Sequence, residues 1–322
     1  MLPPRDKTNI LFMHGAYQMA ARFAARNTGI AHAQARTYDA ALTQIGTADV
    51  VCVSMMWKND LLARAPKLAF VQSISAGLDQ YDVAAFKAKG VRLASAAGVN
   101  ANAVAEHAFA MALALQRQLH TGRDHQQMKH WRGMISVIER REAEIAGKTM
   151  VIVGLGRIGS RLARFAKAFD MRVIGVKRDP STATEGADEV VATGELLKVL
   201  PRADLVVITC PLTKETEGLI GAEALAAMKP GAHLINVARG KVVDEAALIH
   251  AVLRGHLGAV GLDVTREEPL PATSPLWTIP QVLITPHTAG ETQAYEDNVI
   301  DILIENLERQ WRGEARLRNE VC

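Results

Sequence analysis

Residues 149–169, TMVIVGLGRIGSRLARFAKAF, pass from an apolar run through a glycine loop into an amphipathic segment, and their order decides the fold. The loop is GLGRIG, 154–159. Its spacing suits a dinucleotide pyrophosphate. Gly154 permits a tight turn, Gly156 lets the backbone approach the phosphates, and Gly159 lets the following helix sit against the strand with its first amides aimed at the anion. Such a loop alone is a weak signal, but strand, loop, helix and next strand in sequence make it a strong one. Gly154, Gly156, Arg157, Ile158 and Gly159 are therefore the candidate phosphate-binding set. Over 157–169 the spacing predicts a helix burying Ile158, Leu162, Phe165 and Phe169 on one face.

Working outward, short β-branched runs alternate with helical patterns, the signature of a parallel sheet covered by helices. Around the loop, 149–154, 171–176, 204–209, 233–238, 259–264 and 282–286 read as six buried strands. In the first third, 9–14, 50–56, 70–75 and 91–96 read as four more. Helices at about 101–119 and 292–311 join the two sets. The fold class is thus α/β. The two strand sets, joined by these helices, suggest two domains. At 322 residues the chain is long enough for two such cores.

Net charge is +3 and no long basic run appears, which argues against nucleic acid or anionic membrane as a partner. Three cysteines, Cys52, Cys210 and Cys322, form neither a CxxC pair nor a disulfide framework and fit a reducing compartment. With neither a signal-peptide pattern nor a spanning apolar run, a cytoplasmic location is expected. Segment 120–147 is polar and irregular and reads as an arm. Its His120, His125 and His130 are spaced so that successive side chains turn by ~140° around a helix, so they share no face and no metal site is expected.

Three polar residues follow strand ends: Arg239 in NVARG, Glu268 in DVTREEPLP and His287 in TPHTAG. Each alone is an ordinary surface residue. Together they suit a 2-oxo acid, because reacting groups gather at the carboxyl ends of parallel strands. A guanidinium binds a carboxylate bidentately and polarises the neighbouring carbonyl. Imidazole passes a proton near neutral pH, and a carboxylate bonded to it fixes its tautomer. A nicotinamide supplies the hydride.

With those residues in view the chain resembles the D-isomer-specific 2-hydroxyacid dehydrogenase family (glyoxylate/hydroxypyruvate reductase-like) over essentially its whole length. The matching stretches are 73–82, 97–111, 153–159, 210–220, 235–248, 261–271 and 285–290. The resemblance implies an NAD(P)-dependent dehydrogenase in which residues 1–101 with 292–322 form a flavodoxin-like substrate domain, a Rossmann dinucleotide-binding domain, 102–291, is inserted into it, and the active-site cleft lies between the domains. It implies Arg239 as substrate-orienting residue, His287 as acid/base and Glu268 as its partner. Ser75, Ala76 and Gly77 match a loop whose amides hold the substrate carboxylate. Cys210, Pro211, Thr216, Ala238, Asp263 and Gly290 match positions lining the cofactor, although Cys210 is equally a small apolar residue at a strand end. A homodimer is implied, with the arm and its Trp131 either reaching a partner or packing on their own chain. Some relatives are nucleotide-sensing corepressors, which is the rival reading; the complete trio favours an enzyme.

Met55, Met56 and Trp57 either line a pocket over the substrate side chain or fill the core. The cofactor choice rests on VIGVKRDP, 173–180. An acidic residue near position 177 would hold the adenosine ribose and repel a 2′-phosphate; Lys177 and Arg178 stand there instead. NADP(H) is therefore expected over NAD(H), with NAD use open. Asp179 is the alternative ribose ligand, though its place before Pro180 suits a solvated turn.

Overall fold

A computed structural model describes residues 2–182 and 186–322. The chain divides into two compact units, 1–100 with 292–322, and 101–291.

The first unit holds five parallel strands: β1 Asn9–Met13, β2 Ala31–Ala35, β3 Val50–Val53, β4 Phe70–Ser73 and β5 Arg92–Ala94. Their spatial order is β2-β1-β3-β4-β5, the flavodoxin-like arrangement. Alternate residues feed two cores. Ile10, Phe12, Val50 and Cys52 join the cluster under the helix Tyr295–Trp311. Leu11, Met13, Val51 and Val53 join the opposite one. Trp57 belongs to that second core, 3 % exposed, with its ring 5.8 Å from Tyr81 and 5.3 Å from Phe86. Of the pocket and core placements open to it in sequence, the structure shows the core. Met55, by contrast, is exposed.

The second unit holds seven parallel strands: β6 Thr149–Val153, β7 Arg172–Lys177, β8 Glu189–Ala192, β9 Leu205–Ile208, β10 His233–Asn236, β11 Ala259–Leu262 and β12 Val282–Ile284. They lie in the order β12-β11-β10-β9-β6-β7-β8. From β6 the winding proceeds outward through β7 and β8, then returns to β9 on the other side. The β6–β9 boundary is thus a topological switch point, where open α/β sheets bind ligands. Val151, Val153, Val206 and Ile208 pack on one face, and Met150, Ile152, Leu205 and Val207 on the other. Covered faces explain why these strands read as unbroken apolar runs.

Four local expectations change. Strands β2 (AHAQA) and β8 (EVVA) escaped the sequence reading because each is an edge strand with a weak pattern; all four residues of β8 are only half-buried. Helix Arg157–Ala168 buries Leu162 as expected and, with it, the small residues Gly159, Ala163 and Ala166, while Ile158 and Phe165 are half-buried and Phe169 is exposed. Small residues win the sheet side because the helix approaches closely there, while Phe165 and Phe169 swing onto Phe109, at ring distances of 6.0 and 4.9 Å. The arm opens with a helix, Leu119–Gln127, and beyond its end the rings of His125 and His130 meet edge-on at 4.8 Å, so these two do come together. Among the described residues no group of three or more His, Cys, Asp or Glu is arranged to hold a metal, and no helix is long and apolar enough to cross a membrane.

Candidate active site

The glycine loop sits at the switch point, between the ends of β6 and β9. Gly154 has φ +106°, and a Cβ there would lie 2.4 Å from Cys210 N. At Gly159 a Cβ would lie 2.5 Å from the Gly154 carbonyl oxygen. Both glycines are therefore dictated by the protein's own backbone. Gly156 is different: a Cβ there meets no protein atom within 4 Å. Packing does not demand glycine at that position, and close approach of a ligand does. The loop thus fits a pyrophosphate, with Arg157 exposed beside it and Ile158 half-buried. Thr209, at the end of β9, donates its hydroxyl to the Gly154 carbonyl at 2.7 Å and pins the turn. Nothing in the sequence singled Thr209 out.

Around this loop the other cofactor candidates fall into place unevenly. Cys210 is buried beside Gly154, and burial pushes its thiol up to about 11, so it serves as a small apolar wall. The Thr216 hydroxyl donates to the Pro211 carbonyl and accepts from Thr213 N–H, both at 2.7 Å, so it braces its own loop. Ala238 is buried and Gly290 half-buried. Lys177 is the last residue of β7; its ammonium bonds the hydroxyl and carbonyl of Thr182. Arg178 is exposed, and its charge helps hold Glu215 of the facing loop below the usual carboxylate range, after hydrogen bonds from Thr213 and Glu215's own backbone. Asp179 accepts the Ser181 hydroxyl at 2.6 Å and its N–H at 3.0 Å, which keep that carboxylate low and tied into the turn.

The polar trio lies at the carboxyl ends of three adjacent strands, β10, β11 and β12. His287 Nδ1 is 2.7 Å from Glu268 Oε2, and Glu268 Oε1 accepts Thr265 N–H at 3.1 Å. Partial burial pushes the Glu268 carboxyl up, but the His287 hydrogen bond and charge, the Thr265 amide and the Arg239 charge together hold it below its ordinary 4.5. Arg239 is thereby placed within electrostatic reach of the pair. Its guanidinium also donates to the Ala238 carbonyl at 2.8 Å.

Two features bring these loops together. Asn236, 1 % exposed, accepts from Ala238 N–H at 3.0 Å and donates to the Arg239 carbonyl at 2.9 Å, folding the turn that presents Arg239. At Gly240 the next loop crosses so closely that a Cβ would fall 2.0 Å from the backbone carbonyl of Thr265. Gly240→Ala should destabilise the chain by about 1–3 kcal/mol, more if the loops cannot part, as measured by denaturant unfolding.

Asp263 has protein partners on both carboxylate oxygens. It is 2 % exposed, and its carboxylate is taken up by Thr285, Thr288 and Ala289 of the His287 turn. In the first unit, Ser75 N–H and carbonyl both bond the Ser73 hydroxyl, so that amide is engaged within its own loop; Ala76 is exposed and Gly77 half-buried.

A sequence profile described as "D-isomer specific 2-hydroxyacid dehydrogenase, NAD binding domain" matches residues 109–289. The chain belongs to the D-isomer specific 2-hydroxyacid dehydrogenase family. Among its relatives, a D-3-phosphoglycerate dehydrogenase of Mycobacterium tuberculosis is 38% identical over 281 residues, covering 86% of this chain and 52% of that one. A glyoxylate reductase of Pyrococcus furiosus is 35% identical over 271 residues, covering 82% and 79%. A D-isomer specific 2-hydroxyacid dehydrogenase from Xanthobacter autotrophicus Py2, solved with NADPH and MES, superposes with a TM-score of 0.80 at 28% identity, covering 98% of each chain. The chain spans about half the length of the curated phosphoglycerate dehydrogenases it matches. Residues 109–289, within the second unit, are thus the part of the chain that matches the family's NAD-binding domain.

Proposed function

We propose that this chain is a 2-oxo acid reductase that prefers NADP(H), interconverting a 2-oxo acid and a D-2-hydroxy acid. The observation that carries the reading is the 2.7 Å His287–Glu268 pair within electrostatic reach of Arg239, on the rim that also bears the glycine loop. In this reading Arg239 binds the substrate carboxylate and draws electron density from the adjacent carbonyl. His287 Nε2 gives a proton to the carbonyl oxygen as it becomes an alkoxide, and takes one back in the reverse direction. Glu268 holds Nδ1 protonated and the ring turned, so that Nε2 faces the substrate. When bound, the reduced nicotinamide supplies the hydride to the carbonyl carbon. By its motif, the Ser75–Gly77 loop is proposed as a further holder of the substrate carboxylate.

Lys177 and Arg178 are proposed to meet the 2′-phosphate, supported by the absence of an acid at the end of β7 and by the tie of Asp179 to Ser181. The NADPH in the Xanthobacter relative is in keeping with this. A homodimer is proposed through the arm, where Trp131, Met134 and Ile138 are exposed; exposed aromatic and Met side chains are enriched at protein interfaces.

Steady-state kinetics on a panel of 2-oxo acids, each with NADPH and with NADH, tests the function. Reduction of at least one acid, faster with NADPH, is expected; no reduction of any acid by either nucleotide contradicts it.

Glu268→Gln should lower kcat by about 10–100-fold, because the amide no longer enforces one imidazole tautomer. The substitution also tests the electrostatics. Because the folded-state carboxyl lies below its ordinary 4.5, Glu268 adds stability that is present above that pH and lost as pH falls through the folded value. The stability difference between wild type and Glu268→Gln should therefore shrink on acidification below about 4.5, read by urea unfolding at a series of pH values.

A further inference from the structure

Behind the turn that carries His287 runs a chain of hydrogen bonds that the proposed chemistry does not use. Its inner end is the buried Asp263 carboxylate. Oδ1 accepts the Thr285 hydroxyl at 2.6 Å and Thr288 N–H at 2.9 Å, and Oδ2 accepts Ala289 N–H at 3.1 Å. The outer end is His107, on the helix Ala101–Gln116, 178 positions earlier in the chain. His107 Nε2 lies 2.9 Å from Thr285 Oγ1 and 3.6 Å from Asp263 Oδ1.

The proton inventory gives this chain a direction. Asp263 receives three donors, the arrangement of an acceptor-only carboxylate, so the single hydroxyl proton of Thr285 points at Asp263. The threonine oxygen then meets His107 with a lone pair, and Nε2 must carry the hydrogen between them. Donation runs one way, from His107 through Thr285 to Asp263, and each bond polarises the next.

What this chain acts on is the backbone around His287. That residue has φ +55°, a left-handed conformation that a non-glycine residue keeps only when its surroundings over-determine it. Asp263 supplies the determination from both sides. Its backbone carbonyl accepts His287 N–H at 2.8 Å, and its carboxylate takes the next two amides. An Asp263 carboxylate free to rotate would hold that turn less tightly, and the imidazole would lose its aim at the Glu268 side.

We propose that His107 and Thr285 are positioning residues for His287: together they lock the Asp263 carboxylate, and Asp263 locks the left-handed turn that presents the imidazole. The inference rests on the acid/base reading of His287 and gives Asp263 a part in supporting the catalytic turn. His107 bonds Thr285, Thr285 bonds the Asp263 carboxylate and Asp263 bonds the amides of the turn, so its influence on His287 passes through the backbone.

The test compares variants that differ in one hydrogen bond. Thr285→Val keeps the volume and removes the hydroxyl, and Thr285→Ser restores it; His107→Leu and His107→Gln form the matching pair. Thr285→Val and His107→Leu should each lower kcat about tenfold with the NADPH dissociation constant within about twofold of wild type, while Ser and Gln recover most of the loss. The double variant His107→Leu/Thr285→Val should lose no more than the worse single one, since both break the same chain. Wild-type kcat in Thr285→Val, or single losses that multiply in the double variant, would overturn the proposal. Amide hydrogen exchange at Thr288 and Ala289 reads the same chain without any substrate. It should be several-fold faster in Thr285→Val than in Thr285→Ser. Equal exchange overturns the proposal even if the wild-type chain reduces no 2-oxo acid, a result that would by itself count only against the proposed function.

Discussion

His287→Ala should lower kcat by about a thousandfold while leaving the NADPH dissociation constant within about twofold. The size follows from the task. Hydride arrival at a carbonyl carbon leaves an alkoxide, and without a proton donor at hand that charge must be borne until water delivers one. General acid catalysis of this kind is worth about 10²–10⁴ in rate. The upper half of that range applies because the imidazole is already aimed: Glu268 binds Nδ1 at 2.7 Å, so no reorganisation is needed when the oxyanion forms. Nucleotide affinity should hold because the glycine loop lies at the β6–β9 boundary, and His287 follows β12 at the far edge of the same sheet. This split separates an enzyme from a nucleotide-sensing binding protein, which has no turnover to lose. Equal loss of turnover and of nucleotide binding would place His287 in the fold and remove its role in the chemistry.

Replacing Lys177 with Asp and Arg178 with Ala should lower the ratio of kcat/KM with NADPH to that with NADH by about a hundredfold. Each charge-assisted hydrogen bond to a phosphate is worth about 1.5–3 kcal/mol, and about 1.4 kcal/mol is tenfold, so the loss of two contacts gives at least that factor. The new carboxylate adds repulsion against a 2′-phosphate and offers a partner to ribose hydroxyls. Asp179 does not already fill that part, because Ser181 binds its carboxylate through both hydroxyl and amide. The ratio is measured on one enzyme preparation, so partial misfolding cancels. An unchanged ratio would mean that the two cations at the end of β7 are solvated residues with no say in cofactor choice.

The features that sequence reveals are those in which chemistry restricts the residue type. Glycines at 154 and 159 stand out because the surrounding backbone leaves no room for a side chain, Gly156 because a phosphate must approach it closely, and Arg239, Glu268 and His287 because strand ends are where such groups act. Runs such as VVCV and LVVI announce buried strands because both sheet faces are covered. Edge strands lack that double burial, so AHAQA and EVVA carried almost no signal. Helix Arg157–Ala168 shows a second limit: close packing at Gly159 turns its small side chains to the sheet, which a count of large apolar residues does not anticipate. The supports of the site were the least legible. Thr209 on the Gly154 carbonyl, Asn236 in the Arg239 turn and His107 on Thr285 are polar contacts between distant segments, and no local pattern marks them. Asp263 was visible as a motif residue, yet its role depends on which loop folds over it.

The most direct measurement is isotopic. NADPH carrying deuterium at the transferable nicotinamide position is incubated with the chain and a reducible 2-oxo acid, and the 2-hydroxy acid product is analysed for label and configuration. Deuterium at C2 of the D-isomer is the predicted result. A product without label at C2, an L-configured product, or no hydroxy acid from any 2-oxo acid offered would contradict hydride delivery to a 2-oxo acid held by Arg239 and protonated by His287.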